Sequence, residues 1–155
     1  MSKSVKRVEA ALEALGLNAE VVRMPETTRS AADAASACGC DVAQIVKSLV
    51  FEGASTGALK LVLLSGAHEL DTAQCEALFG EGVKRADAKR VRAETGFAIG
   101  GVSPVGHLAP IETWMDESLL GFDVVWAAAG APNAVFSVDP MDLAAMSGVR
   151  LFAQA

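Results

Sequence analysis

The sequence predicts a single α+β domain over residues 1–155, built on a mixed, curved, barrel-like β-sheet with helices around it. Two observations lead there. Apolar periodicity changes repeatedly between helical and strand spacing, without the regular strand–helix alternation of a doubly wound fold. The 155 residues are 52% hydrophobic and 21% charged, with mean hydropathy +0.35, enough for one sizeable core without disulfides or metals.

Val5, Val8, Leu12 and Leu15 recur at three- and four-residue steps before Gly16, which predicts an amphipathic helix. Glu20 to Met24 is a short β-branched run closed by Pro25, a strand entering a loop. Ser30 followed by Asp33 marks the start of an alanine-rich helix that Gly39 ends. Ile45–Phe51 and Leu59–Leu64, joined by a turn-rich stretch at 53–57, predict a hairpin. Asp71 and Asp87 are N-caps of two helices, ended by Gly80 and by Thr95-Gly96. The Gly- and Pro-rich segment from Phe97 to His107 has to be a specified loop. Strands are expected at Ala109–Trp114, Val124–Ala128 and Ala134–Val138, then a short helix from Pro140 to Met146 behind Asp139, and a last strand near Val149–Phe152.

Several classes of function drop out. A net charge of −6 argues against a protein that coats nucleic acid non-specifically, although Lys84, Arg85, Lys89, Arg90 and Arg92 form one basic cluster able to touch phosphates. No apolar stretch approaches membrane-spanning length, and the first residues do not read as a secretory signal. The odd set Cys38, Cys40 and Cys75 then reads as reduced thiols in the cytoplasm. Zinc ligation by these with His68 is disfavoured because Cys-x-Cys is tighter than the usual ligand spacing. Neither a P-loop nor a dinucleotide fingerprint occurs, and no Gly-x-Ser-x-Gly accompanies the histidines His68 and His107, so no cofactor is expected.

Three features carry chemistry, each beside a plainer reading. Strand alternation puts Ile45, Lys47, Leu49 and Phe51 on one face and Val46, Ser48 and Val50 on the other. Lys47 either snorkels to water or aims its charge into a polar cleft. Gly100-Gly101-Val102-Ser103-Pro104 is either an ordinary turn or a backbone cradle for a phosphate or oxyanion. His107 and the helix carrying Lys89, Arg90 and Arg92 are either near a ligand or merely structural and solvated.

The stretch Gln44–Phe51, the loop Thr95–His107 and the segment Trp126–Asn133 resemble, in this order, the YbaK/EbsC-like aminoacyl-tRNA editing family, free-standing relatives of the insertion domain of prolyl-tRNA synthetase. Thr28 ahead of the alanine-rich helix is also similar to the family pattern. The resemblance implies hydrolysis of the ester joining a small wrong amino acid to tRNA, most often tRNA for proline. Alanine, serine, threonine and cysteine all stay open, as does a non-catalytic module that binds tRNA or a synthetase. It implies that Lys47, Gly100, Gly101, Ser103 and Pro104 are catalytic, with Lys47 on the terminal adenosine, the loop on the aminoacyl group or its water, and a tRNA hydroxyl assisting. Thr28, Val102, His107, Ala128, Ala129 and Gly130 would line the pocket; some members carry serine where this chain has Ala127–Ala129. Lys84, Arg85, Lys89 and Arg90 would meet the tRNA. The implied partners are the aminoacylated tRNA 3′ end and prolyl-tRNA synthetase. A separate editing step answers a physical limit, since one methylene in an apolar pocket is worth only about 1–3 kcal/mol of discrimination.

Overall fold

Side-chain caps decide where the helices begin. The structure, a computed structural model, describes residues 3–17, 19–25 and 30–153, the side chain of Thr72 excepted. Helix α1 (Lys3–Ala14) turns Val5, Val8 and Leu12 inward. The Ser30 hydroxyl accepts from Asp33 N–H at 3.1 Å to open α2 (Ala31–Cys38). Asp71 opens α3 (Thr72–Phe79) with Gln74 completing a reciprocal capping box. Asp87 opens α4 (Ala88–Thr95), and Asp139 opens α5 (Pro140–Ala144) with proline in its first turn. Each cap satisfies amide donors that a first helical turn leaves without a partner, so the expected starts hold.

Among the described residues the strands are β1 (Val21–Arg23), β2 (Val46–Gly53), β3 (Leu59–Ser65), β4 (Val83–Arg85), β5 (Glu112–Asp116), β6 (Val125–Ala128), β7 (Ala134–Val138) and β8 (Val149–Phe152). They make two sheets and not one closed barrel. One has order β1-β7-β6 and is antiparallel; the other has order β4-β2-β3-β5-β8, antiparallel around β2 and parallel from β3 through β5 to β8. A lone bridge, Ile45 to Trp126, links them, so the expected curvature stops short of closure. Strand β4 was not foreseen, its three residues reading only as part of the basic cluster. Strand β5 starts at Glu112 instead of Ala109, beyond Pro110, which has no N–H for a ladder.

Alternation along β2 divides two cores. Val46 and Val50 join the larger one, with Val5, Val8, Leu61, Leu63, Phe97 and Phe136. Phe51 joins Val62, Leu64, Trp114 and Phe152 in the smaller, against which Leu49 packs. The two-faced reading of this strand is therefore right, and it places Lys47 on the side of the smaller core. Among the described residues no helix is long and apolar enough to cross a membrane.

Candidate active site

The loop from Gly96 to His107 is held at both ends by one side chain. Arg7 on α1 donates from Nε to the Gly106 carbonyl at 2.7 Å and from Nη2 to the Gly96 carbonyl at 2.8 Å, with its guanidinium 4.8 Å from the centre of the Phe97 ring. His107 stands edge-on to the same ring and donates from Nε2 to the Ser103 carbonyl at 2.6 Å. Burial lowers the His107 pKa, so the ring stays neutral and acts as a clasp. Its Nδ1 has no partner among the described residues.

Two close backbone approaches fix this loop and the 126–133 segment beside it. A Cβ on Gly101 would stand 2.9 Å from the Ala131 backbone, and one on Gly130 would stand 2.8 Å from the backbone of Ser4. Only glycine fits either place. The structure thus brings together the second and third of the stretches singled out in the sequence, Thr95–His107 and Trp126–Asn133.

Where the loop passes β2 there is a cavity of about 310 Å³ lined by Ser48, Val50, Arg85, Ala86, Ile99, Gly100 and Val102. The Ser48 hydroxyl is buried and has no hydrogen-bond partner among the described residues. Gly101 N–H closes a turn onto the Ala98 carbonyl at 3.0 Å, whereas no backbone acceptor meets Gly100 or Val102 N–H among the described residues. Free amides beside a cavity are the donors that an oxyanion needs.

Not every residue expected at the site is there. Ser103 is fully buried, its hydroxyl accepting from Val105 N–H at 3.1 Å, and Pro104 is buried beside it. Both shape the turn from behind. Ala129 lies in the larger core and Ala128 on β6, neither lining the cavity. Thr28 lies outside the described residues.

Lys47 is not among the residues lining this cavity. Its amine donates to the His68 carbonyl at 2.5 Å, and no carboxylate lies within ion-pair distance among the described residues. His68 leads to a second, wider cavity of about 720 Å³ lined by His68, Asp116, Glu117, Ser118, Leu120, Gly121 and Ala153. His68 Nδ1 donates to Asp116 Oδ2 at 2.6 Å, and Asp116 is fully buried. That carboxylate also accepts from Ser65 N–H, Ser118 N–H and the Ser118 hydroxyl. Burial raises its pKa, but the bonds from His68, Ser118 and Ser65 outweigh burial and leave it lowered. Cys38, Cys40, Cys75 and His68 form no metal-binding group among the described residues.

The basic cluster divides in two. Lys84 pairs with Glu52 at 3.2 Å and Arg90 with Glu52 at 2.5 Å, Arg90 also bonding Glu94, so part of their charge is met by neighbouring carboxylates. Arg85 lies over the Phe51 ring at 5.5 Å and lines the smaller cavity, while Lys89 and Arg92 are exposed.

The model of the aminoacyl-tRNA editing domain matches residues 25–146. The chain belongs to the aminoacyl-tRNA editing domain family. It is similar over 99% of its length to 97% of a crystal structure of a candidate trans-editing enzyme for prolyl tRNA synthetase, with 45% identity and a TM-score of 0.91. It is 28% identical over 128 residues to the uncharacterized protein YwhH of Bacillus subtilis strain 168, covering 83% of this chain and 81% of that one. It is 29% identical over 118 residues to EbsC of Enterococcus faecalis strain ATCC 700802 / V583, named as a candidate Cys-tRNA(Pro)/Cys-tRNA(Cys) deacylase, covering 70% of this chain and 71% of that one.

In this editing domain, sequence reasoning missed Arg7, Ser48 and the His68–Asp116 pair. Arg7 has no signal, being one polar residue on an amphipathic helix. Asp116 does have one: an acid ending an apolar strand, two residues before a serine, is the pattern of a capping aspartate.

Proposed function

We propose that this chain is an aminoacyl-tRNA deacylase acting in trans, releasing a small wrong amino acid, of the alanine, serine, threonine or cysteine class, from tRNA for proline. The observation that carries the reading within the family is the cavity at Gly100, where backbone donors and a buried hydroxyl, without partners among the described residues, meet a cationic rim at Arg85. Gly100 and Val102 N–H would stabilise the oxyanion formed as water adds to the ester carbon, each such donor being worth roughly 3–4 kcal/mol. The acyl–oxygen bond then breaks, and the ribose oxygen leaves with a proton. With Ser48 the one hydroxyl among the described residues lining the cavity, the attacking water is best activated by the neighbouring ribose hydroxyl of the substrate. Gly101 and Pro104 set the loop's shape, and Arg85 and Lys89 offer charge to the phosphates. Lys47, half-buried and with the His68 carbonyl as its partner among the described residues, would offer its charge to the anionic 3′ end.

Purified protein incubated with tRNA charged with alanine, serine, threonine or cysteine should release at least one of these amino acids faster than the spontaneous reaction. The apparent affinity should fall steeply between about 50 and 200 mM salt, as phosphate contacts require. Turnover of a small neutral ester instead, insensitive to salt, would point to a metabolic esterase, and association with tRNA without turnover to a binding module.

A further inference from the structure

Strand β2 is not flanked continuously on its outer side. On that side β6 lies close by and forms a bridge to Trp126 from Ile45, just before β2. Strand β4 covers Phe51 to Gly53, with Ala86 N–H extending the pairing to the Val50 carbonyl at 3.1 Å. Between these two contacts Ser48 has a strand partner on one side alone, Leu63 of β3.

The backbone polar groups of successive strand residues point alternately to the two sides of the strand. Since the Val50 carbonyl points toward β4, Ser48, two residues earlier, turns its own N–H and C=O the same way, into the gap. That gap is the cavity beside Gly100 and Val102, and the Ser48 hydroxyl in it is buried, with no hydrogen-bond partner among the described residues. A strand edge with no neighbour pairing it among the described residues offers its backbone donor and acceptor to a ligand, which is the natural complement of this notch.

The notch is one residue long, and a residue facing a strand edge in antiparallel pairing exchanges both of its backbone hydrogen bonds with the residue opposite. An aminoacyl ester has the same two groups in the same relation: a nitrogen donor and a carbonyl acceptor on either side of one Cα. We propose that the aminoacyl group docks as a single-residue strand against Ser48. Its α-ammonium donates to the Ser48 carbonyl and hydroxyl, and its ester carbonyl accepts from Ser48 N–H. This rests on the deacylase reading and deepens it by naming the edge that holds the amino acid. The ester carbonyl so held faces the Gly100–Val102 backbone, and Ser48 N–H becomes a further donor to the oxyanion. A free α-amine becomes a condition of recognition, whatever the small side chain.

The test uses the intact 16.0 kDa protein, labelled with ¹⁵N, and the amide isostere 3′-deoxy-3′-(L-alanyl)amino-adenosine as probe. Titration should move the Ser48 amide proton downfield among the largest shifts in the spectrum, with Val102 moving too, and the α-N-acetylated probe should bind at least 10-fold more weakly. No binding, an unmoved Ser48 amide, or equal binding of the acetylated probe overturns the docking. Deacylation of mischarged tRNA, measured in parallel, separates the two readings. Turnover with an unmoved Ser48 amide removes this inference and leaves the deacylase standing; a shifted Ser48 amide without turnover upholds the docking and removes the deacylase.

Discussion

Lys47→Ala is expected to slow single-turnover release of amino acid from mischarged tRNA by roughly 10- to 100-fold, with the fold intact. The amine is half-buried, bonded to the His68 carbonyl and without a carboxylate partner among the described residues. A hydrogen bond to a charged group is worth about 1.5–3 kcal/mol, which converts to that range of rates if the contact is made to the substrate in the transition state. The stability effect should be smaller, because the variant loses one bond to a carbonyl that lies beside an open cavity. With about 1 kcal/mol lost, a chain of this size shifts its Tm by roughly 2–4 °C. A thermal melt beside the kinetic assay separates the two effects. An unchanged rate would assign Lys47 to holding the turn at His68 and nothing more.

Asp116→Asn is expected to destabilise the protein by about 3 kcal/mol or more, seen as a lower midpoint in denaturant. The carboxylate is fully buried and accepts from a histidine ring, two backbone amides and a hydroxyl. An asparagine turns an NH₂ toward one of those donors and leaves at least one N–H without an acceptor, the kind of loss that makes a buried charged network costly to break. The pH dependence has a definite sign. The folded pKa lies below the ordinary aspartate value, so the contribution is full above about 4 and is lost as pH falls through the lower folded value. The variant's stability should therefore vary less than the parent's below about pH 4, measured by denaturant melts across that window.

Much of the fold was legible because its signals are local. Ser30, Asp71, Asp87 and Asp139 each cap a helix through a bond to an amide two or three residues away, and such spacing is visible in any sequence. The two faces of β2 were legible for the same reason. Strand β4 was not, because three residues are too short for a period and its Lys84 and Arg85 suggest a solvated surface. That the curved sheet stays open was not legible, because closure depends on pairing between distant strands, here reduced to the bridge at Ile45.

The candidate site follows the same division. Its glycine-rich loop announced itself through composition, but the contact of Gly101 with Ala131 joins segments that no local pattern relates. Lys47 was correctly placed on a face with large apolar side chains, yet the face does not say where a flexible four-carbon chain ends. Its amine reaches the His68 carbonyl and not the Gly100 cavity, where the structure puts Ser48 instead. Serine in an apolar strand looks unremarkable until its hydroxyl is found buried without a partner among the described residues.

The central claim is hydrolysis of mischarged aminoacyl-tRNA, and the direct measurement is single-turnover decay of the same tRNA for proline charged with alanine, serine, threonine or cysteine, each against the prolyl form. Loss of at least one of these wrong amino acids well above the spontaneous rate, with the prolyl ester left intact, is the predicted result. Decay of all five esters at the spontaneous rate would contradict the account.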